Sequence, residues 1–228
     1  LVGSEMCIRD STYTRGTQAF HEWIRQSFHI NKPYNQFVAE LVTARGEISH
    51  NPATAWFRNV TDQKERLQDT AQVLLGVRLQ CAECHHHPYE KWSQQDYYGF
   101  SAFFSRIGKK KTDMPGEEAV FHNVGLATAK NPKTGQNVKP TPLGGNELDI
   151  LAEDDPRDDL ASWITDEKNP FFAPMLVNRY WKHFFNRAIV EPEDDMRVTN
   201  PPTNPELLQA LSNQFISTCL LYTSPSPR

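Results

Sequence analysis

Cysteine is scarce in this sequence of 228 residues, and net positive charge is absent. Four cysteines are too few for a disulfide-rich secreted scaffold, and only Cys81 and Cys84 lie close together. A formal net charge of −4 is not the basic excess of a nucleic-acid-binding protein, so no nucleic-acid partner is expected. The interior of the chain also has no apolar run near the ~20 residues that a membrane-spanning helix needs, so no membrane span is expected.

Common catalytic signatures are missing as well. The sequence contains no GxSxG, P-loop, GxGxxG or HExxH pattern. It therefore offers no positive case for a serine hydrolase, a nucleotide-dependent enzyme or a zinc protease. The residues leave open whether the protein is an enzyme.

The two ends of the chain resemble a sequencing adapter that has been translated. A DNA string that encodes residues 1–11 contains the reverse complement of a run that encodes residues 219–228. Unrelated natural ends would hardly share this property. We therefore expect residues 1–11 and 219–228 to be adapter-like scars, and residues 12–218 to be a fragment of a longer protein. Cys81 and Cys84 are the only cysteines of that body.

Helical periodicity dominates the first and last thirds of the body. Apolar side chains recur at spacings of three and four over residues 17–30, 33–45 and 61–80, which predicts amphipathic helices. Ser93, with Asp96 three residues later, predicts a further helix start. Similar starts are predicted at Asp155-Pro156, Asn169-Pro170 and Asn204-Pro205.

The middle section is rich in proline, glycine, lysine and asparagine and has little periodicity. Residues 119–124 and 137–139 are predicted to be short strands, joined through a turn at residues 131–135. The fold class is therefore predicted to be mainly α, with a small β-hairpin in an irregular middle section. The predicted organisation is a helical domain at 12–108, an irregular linker at 109–154, and the helical start of a second, truncated domain at 155–218.

Residues 81–88 read Cys-Ala-Glu-Cys-His-His-His-Pro and contain the CxxCH spacing of covalent c-type haem attachment. In that interpretation the thiols of Cys81 and Cys84 bind the porphyrin and His85 ligates the iron. Candidates for a sixth iron ligand are Met114, Met175, Met196, His122 and His183.

Zinc is the alternative cofactor for the same cysteines. Two thiolates would be joined by His87, or by His85, and by a distant group such as His122. A third interpretation has no cofactor, only a cysteine pair beside surface histidines. The sequence leaves these three alternatives open.

The chain resembles the planctomycete cytochrome-c-like domain family in its C-terminal part, followed by the N-terminal part of that family's usual partner domain of unknown function. The first resemblance rests on NKPYNQFVAELVTARG (31–46), LLGVRLQCAECHHHPYEKWSQQDYYGFSAFF (74–104) and PLGG (142–145). The second rests on NPFFAPMLVNRYWKHFFNRAIVEPEDDMRVTNPPTNPELLQAL (169–211).

This resemblance implies a haem-binding, electron-transfer module of a larger exported bacterial protein. Haem c held by Cys81, Cys84 and His85 would imply an extracytoplasmic location, because its attachment needs an oxidising maturation route. A redox partner, or other domains of the full-length protein, would be the partners. The alternative is a zinc-stabilised structural or carbohydrate-interaction module that uses the same cysteines and histidines.

One prediction concerns a charged residue among aromatic ones. Arg179 lies in the run Asn-Arg-Tyr-Trp, and we expect it to pair with Asp194 or Asp195 and so to hold its helix to the next loop.

Overall fold

The computed structural model describes the backbone of residues 2–58, 60, 62–86, 91–113 and 117–220, and within these ranges the side chains of residues 16–218. The origin of residues 1–11 and 219–228 and the domain boundaries stay predictions. The helices are α1 (Val2–His29), α2 (Tyr34–Val42), α3 (Gln63–Thr70), α4 (Gln94–Ala102), α5 (Pro156–Ile164), α6 (Phe172–Phe185) and α7 (Pro205–Phe215). The strands are β1 (Ile107–Lys111), β2 (Glu118–His122), β3 (Ala129–Lys130) and β4 (Asn137–Val138).

Shorter helical turns connect these elements. Pro52–Phe57 and Gln80–Glu83 are 3-10 turns, and Ala71–Leu75 and Ile216–Leu220 are π-helical turns. The described part of the chain is therefore mainly α with two small antiparallel strand pairs, which confirms the predicted fold class. No helix in this part combines the length and apolar character needed to cross a membrane.

The predicted helix starts at Asp155-Pro156 and Asn204-Pro205 are confirmed, whereas α6 begins at Phe172, two residues after the predicted Asn169-Pro170 start. Polar side chains cap the helices as follows. Asp62 accepts a hydrogen bond from Lys64 N at 3.3 Å at the start of α3. Asn204 accepts one from Leu207 N at 3.0 Å at the start of α7. These side chains satisfy backbone donors that have no partner within the helix.

The predicted helix over residues 61–80 ends earlier than its periodicity indicates. Helix α3 passes into the π-helical turn and stops at Gly76, whose φ of +67° lies in the left-handed region. Glycine adopts this conformation without the steric cost that a Cβ brings, and it commonly terminates helices. The chain then leaves the helix axis before it reaches Cys81.

The strand pairing also differs from the prediction. Strand β2 pairs with β1, with Ile107 opposite His122, while β4 pairs with β3 across the predicted turn at residues 131–135. The expected pairing of residues 119–124 with 137–139 is therefore wrong. The sequence of β1, Ile-Gly-Lys-Lys-Lys, lacks the alternation that would have identified it as a strand.

One apolar core joins the first, middle and last parts of the chain. Its fully buried members include Leu75 before the CxxCH motif, Phe100 in α4 and Leu160 in α5. Val138 and Leu143 of the irregular section belong to the same cluster. The motif therefore starts from a segment that is fixed by the main core.

Candidate functional site

The CxxCH motif lies on a 3-10 turn that is half-embedded in the core. Leu79 and Ala82 are completely buried, whereas the side chains of Cys81 and Cys84 are exposed. The turn is closed by a hydrogen bond from Ala82 N to Leu79 O at 2.9 Å. Burial of two apolar side chains thus orients both sulfurs outward. We call residues 80–85 the CxxCH turn.

Glu83, the second residue between the cysteines, anchors this turn to α3. Its carboxylate accepts a hydrogen bond from Lys64 Nζ at 2.6 Å, and a longer one from Gln68 Nε2 at 3.4 Å. The hydroxyl of Tyr97 also donates to it, at 3.3 Å. Glu83 was not identified from the sequence, because nothing within the motif distinguishes it from a solvent-exposed residue without a role.

The backbone of the same residue is anchored to α4. Gln94 Nε2 donates to the Glu83 carbonyl at 2.8 Å, and the Tyr98 hydroxyl donates to it at 3.4 Å. Gln94 is the first residue of α4 and directly follows Ser93, which forms a capping box with Asp96 and confirms the predicted start. The cap therefore positions the side chain that holds the turn.

The pKa values of these residues keep them in the protonation states that their hydrogen bonds require. Burial raises the pKa of Tyr97 and of Tyr98 above the ordinary value, so both phenols keep the protons that they donate. The hydrogen bond to Glu83 raises the pKa of Lys64, so its ammonium stays charged. The turn is held by donors that do not titrate near neutral pH.

His85 presents one ring nitrogen to solvent. Its Nδ1 lies 2.6 Å from the carbonyl oxygen of His86. A carbonyl only accepts hydrogen bonds, so Nδ1 carries the proton and, in the neutral ring, Nε2 keeps its lone pair. Metal-binding histidines are commonly oriented in this way by a carbonyl acceptor at the other nitrogen.

Two observations concern the residues of the zinc alternative, which stays a prediction. His122 is the last residue of β2, and its Nε2 is buried without a hydrogen-bond partner in the described part of the chain. Among the described residues, no three or more histidine, cysteine, aspartate or glutamate side chains are grouped so that they could hold a metal ion. His87 lies outside the described residues, so its proposed role stays a prediction.

The candidate sixth ligands are scattered. Met175 is buried in α6, and Met196 is half-buried and lines a cavity together with Arg78 and Trp92, which flank the CxxCH turn in sequence. His183 is exposed and contacts Phe184 edge-on at 5.3 Å on the surface of α6. Met114 lies outside the described residues.

The predicted partner of Arg179 is wrong. Arg179 Nη2 donates to the backbone oxygen of Gln72 at 3.3 Å. Asp194 instead accepts hydrogen bonds from Gln72 and Arg78, while Asp195 pairs with Arg197 at 2.6 Å. The Asp194 carboxylate thus binds the segment that leads into the CxxCH turn, because the loop after α6 folds back over it.

Asn178 was not identified from the sequence, although it organises this loop. Its buried Oδ1 accepts hydrogen bonds from Ile189 N and Val190 N, both at 2.9 Å, and its Nδ2 donates to Val190 O at 2.8 Å. A lone asparagine on an aromatic helix gives no signal of this role. The contact fixes the loop whose later residues reach Gly76, since Met196 N donates to Gly76 O at 2.9 Å.

Comparison with known families divides the chain into two matches. Residues 4–109 match the family model PSCyt2, and residues 156–220 match PSD1; each is described as a protein of unknown function, DUF1549 and DUF1553 respectively. Both are planctomycete-type domains. No curated protein and no solved structure matches the chain.

Proposed function

We propose that the CxxCH turn attaches a c-type haem and that the protein is an electron-transfer module. The observation that carries the proposal is the donor set on the turn. Cys81 and Cys84 are exposed and free of a disulfide, and the next residue is a histidine whose Nε2 is available. Two thiols and an imidazole at this spacing fit covalent haem attachment.

The residues of the turn have distinct roles in this proposal. Each thiol, of Cys81 and of Cys84, would add its S–H across one vinyl group, so that sulfur forms a C–S bond and the proton goes to the neighbouring carbon. His85 would donate its Nε2 lone pair to the iron. Glu83 is a positioning residue, because its hydrogen bonds hold the turn between α3 and α4. When bound, the haem supplies one-electron chemistry at its iron.

The proposal also implies where the protein is located and which class of partner it has. Covalent haem attachment requires an oxidising maturation route, which supports an extracytoplasmic location. A module that only accepts and donates electrons needs a redox partner, either another protein or another domain of a longer chain. Met196 is the sixth-ligand candidate best supported by position, because it shares a cavity with residues that flank the turn.

A haemochrome spectrum tests the proposal. The 228-residue chain is exported in a host that contains a c-type maturation system, denatured, and extracted with acidified acetone before the spectrum is recorded. We expect about one haem per chain to stay with the protein, since thioether bonds survive extraction. C81A/C84A should retain none, whereas H50A, which alters an exposed histidine far from the motif in sequence, should retain as much as the native chain. Loss of all haem from the native chain would contradict the proposal.

A zinc-stabilised structural module is the second candidate. In this candidate the exposed thiols of Cys81 and Cys84 would be joined by His87, or by His85, and by His122, whose Nε2 is buried without a hydrogen-bond partner in the described part of the chain. This candidate predicts about one zinc per chain by elemental analysis and a lower Tm after chelation, because a structural metal contributes to folding. A folded, haem-free sample without zinc would exclude it.

A further inference from the structure

A small cavity with an unusual concentration of cations lies beside the segments that flank the CxxCH turn. It has a volume of about 60 Å³ and is lined by Arg78, Lys91 and Arg197 together with Trp92, Phe171 and Met196. Arg78 precedes Cys81 by three residues and Lys91 follows His85 by six, while Arg197 arrives from the loop after α6. We call this the basic cavity.

Both arginines have hydrogen-bonding capacity left over. Arg78 pairs with Asp194, and Arg197 pairs with Asp195, in each case through Nη2. The two carboxylates are not among the residues that line the basic cavity. The Nε–H groups of both arginines are buried and have no acceptor in the described part of the chain. A buried donor without an acceptor is unfavourable, so these groups are suited to bind an oxygen atom that the described part of the chain does not supply.

Lys91 adds a third positive charge. It is exposed, its Nζ lies 4.8 Å from the centre of the Trp92 ring, and no carboxylate pairs with it within the described ranges. Among the described residues, three cations and two carboxylates leave an excess of one positive charge. Trp92, Phe171 and Met196 line the same cavity, so part of the surface around these cations is apolar.

We propose that the basic cavity binds a compact oxyanion, either a phosphate or a carboxylate group. Guanidinium and ammonium donors bind such groups through charge-assisted hydrogen bonds. The cavity has room for such a group, because its volume of about 60 Å³ is several times the roughly 10–15 Å³ that one buried water needs. The oxyanion has two sources: free phosphate in solution, or a carboxylate carried by a cofactor on the CxxCH turn. The proposal does not depend on haem binding.

A titration with inorganic phosphate tests the site in the unloaded 228-residue chain. Binding is followed by calorimetry and by tryptophan fluorescence, with sodium chloride holding the ionic strength constant. We expect saturable binding to the native chain and roughly tenfold weaker binding to K91Q, because one charge-assisted contact is lost. K91R should restore the affinity, since it keeps the charge.

Lys168 provides the matched control, because it is an exposed lysine elsewhere on the surface. K168Q should bind phosphate as the native chain does. Equal affinity of the native chain and K91Q, or no saturable binding to the native chain, would overturn the proposal. K91Q changes an exposed side chain, so its folding is expected to be native and far-UV circular dichroism confirms it.

The same titration on the haem-loaded chain identifies the source of the oxyanion. Loss of phosphate binding on loading supports the site and assigns it to a carboxylate of the bound group. Unchanged binding supports the site and assigns it to free phosphate. Failure of haem attachment leaves the titration of the unloaded chain intact, so the two proposals fail separately.

Discussion

At the residue scale, Asp155 and Arg157 form a buried ion pair. Arg157 is completely buried, and its Nη2 and Nε donate to the Asp155 carboxylate at 2.7 and 3.2 Å. Its Nη1 donates to Ala44 O at 2.8 Å, and its guanidinium lies 5.3 Å from the centre of the Phe57 ring. Burial raises the pKa of Asp155, but the hydrogen bond and charge of Arg157 outweigh it, so the net pKa lies below the ordinary value.

Replacing Asp155 with asparagine removes the charge of the side chain but keeps its ability to cap the helix. Asparagine caps a helix as well as aspartate does, so D155N removes mainly the countercharge of Arg157. We expect D155N to lower the free energy of unfolding by about 3 kcal/mol at neutral pH, as measured by urea denaturation, because an unpaired charge stays buried. D158N, which alters the half-exposed partner of Arg45, should change it by less than about 1 kcal/mol.

The pH dependence of this difference provides a second measurement. A carboxyl whose pKa is depressed by folding contributes stability above its unfolded pKa, near 3.9, and loses that contribution as pH falls through the folded value. The native chain should therefore approach D155N in stability as the pH falls below about 4. A difference that stays constant down to about pH 2 would contradict the role assigned to the Asp155 charge.

At the element scale, Gly76 decides where the CxxCH turn begins. Its left-handed conformation ends the helix, and the side chains of Met175 and Met196 pack over its Cα. A Cβ at this position would lie 2.8 Å from Met196 Cγ and 3.0 Å from Met175 Cγ. Three separate segments thus meet at one residue without a side chain, five residues before Cys81.

G76A is expected to combine two costs. The left-handed conformation disfavours alanine by about 1 kcal/mol, and the contacts with two methionines add about 1–2 kcal/mol of overpacking. G135A is the matched control, because Gly135 has a φ of +70° and a Cβ added there would have no atom of the described chain within 4 Å. Urea denaturation should show G76A to be less stable than G135A. An equal loss of stability in G76A and G135A would mean that the contacts with the two methionines do not destabilise alanine at position 76.

At the scale of the whole molecule, contacts between distant segments make the two matched regions interdependent. The principal core contains side chains from α2, α4, α5 and α6, together with residues of the middle section. Ion pairs also join the two regions, since Arg45 pairs with Asp158 and Arg78 pairs with Asp194. Both matched regions therefore contribute side chains to the principal core.

We therefore expect one cooperative unfolding transition. Thermal unfolding followed by far-UV circular dichroism and by tryptophan fluorescence should give the same Tm, since both probes report on one core. D194N should lower both midpoints together, because Asp194 links the last third to the segment before the motif. Two separate transitions would show that the regions fold independently.

The helical character of the chain and several of its helix starts could be predicted from the sequence alone. Short polar side chains at Asp62, Ser93, Asp155 and Asn204 act on backbone groups a few residues away, so their effect is local and visible in the sequence. The spacing of Cys81, Cys84 and His85 is likewise a local property. The sequence therefore identified the candidate site and its chemical alternatives.

The tertiary structure decided what surrounds that site. Strand β1 pairs with β2, Asp194 binds Gln72 and Arg78, and Glu83 anchors the CxxCH turn to two helices. Most of these contacts join residues that are far apart in the chain, and such partners are selected by packing of the whole core and not by local propensity. The sequence by itself determined which side chains could bind a cofactor; only the fold determined that both sulfurs face outward, because Leu79 and Ala82 are drawn into the core beneath them.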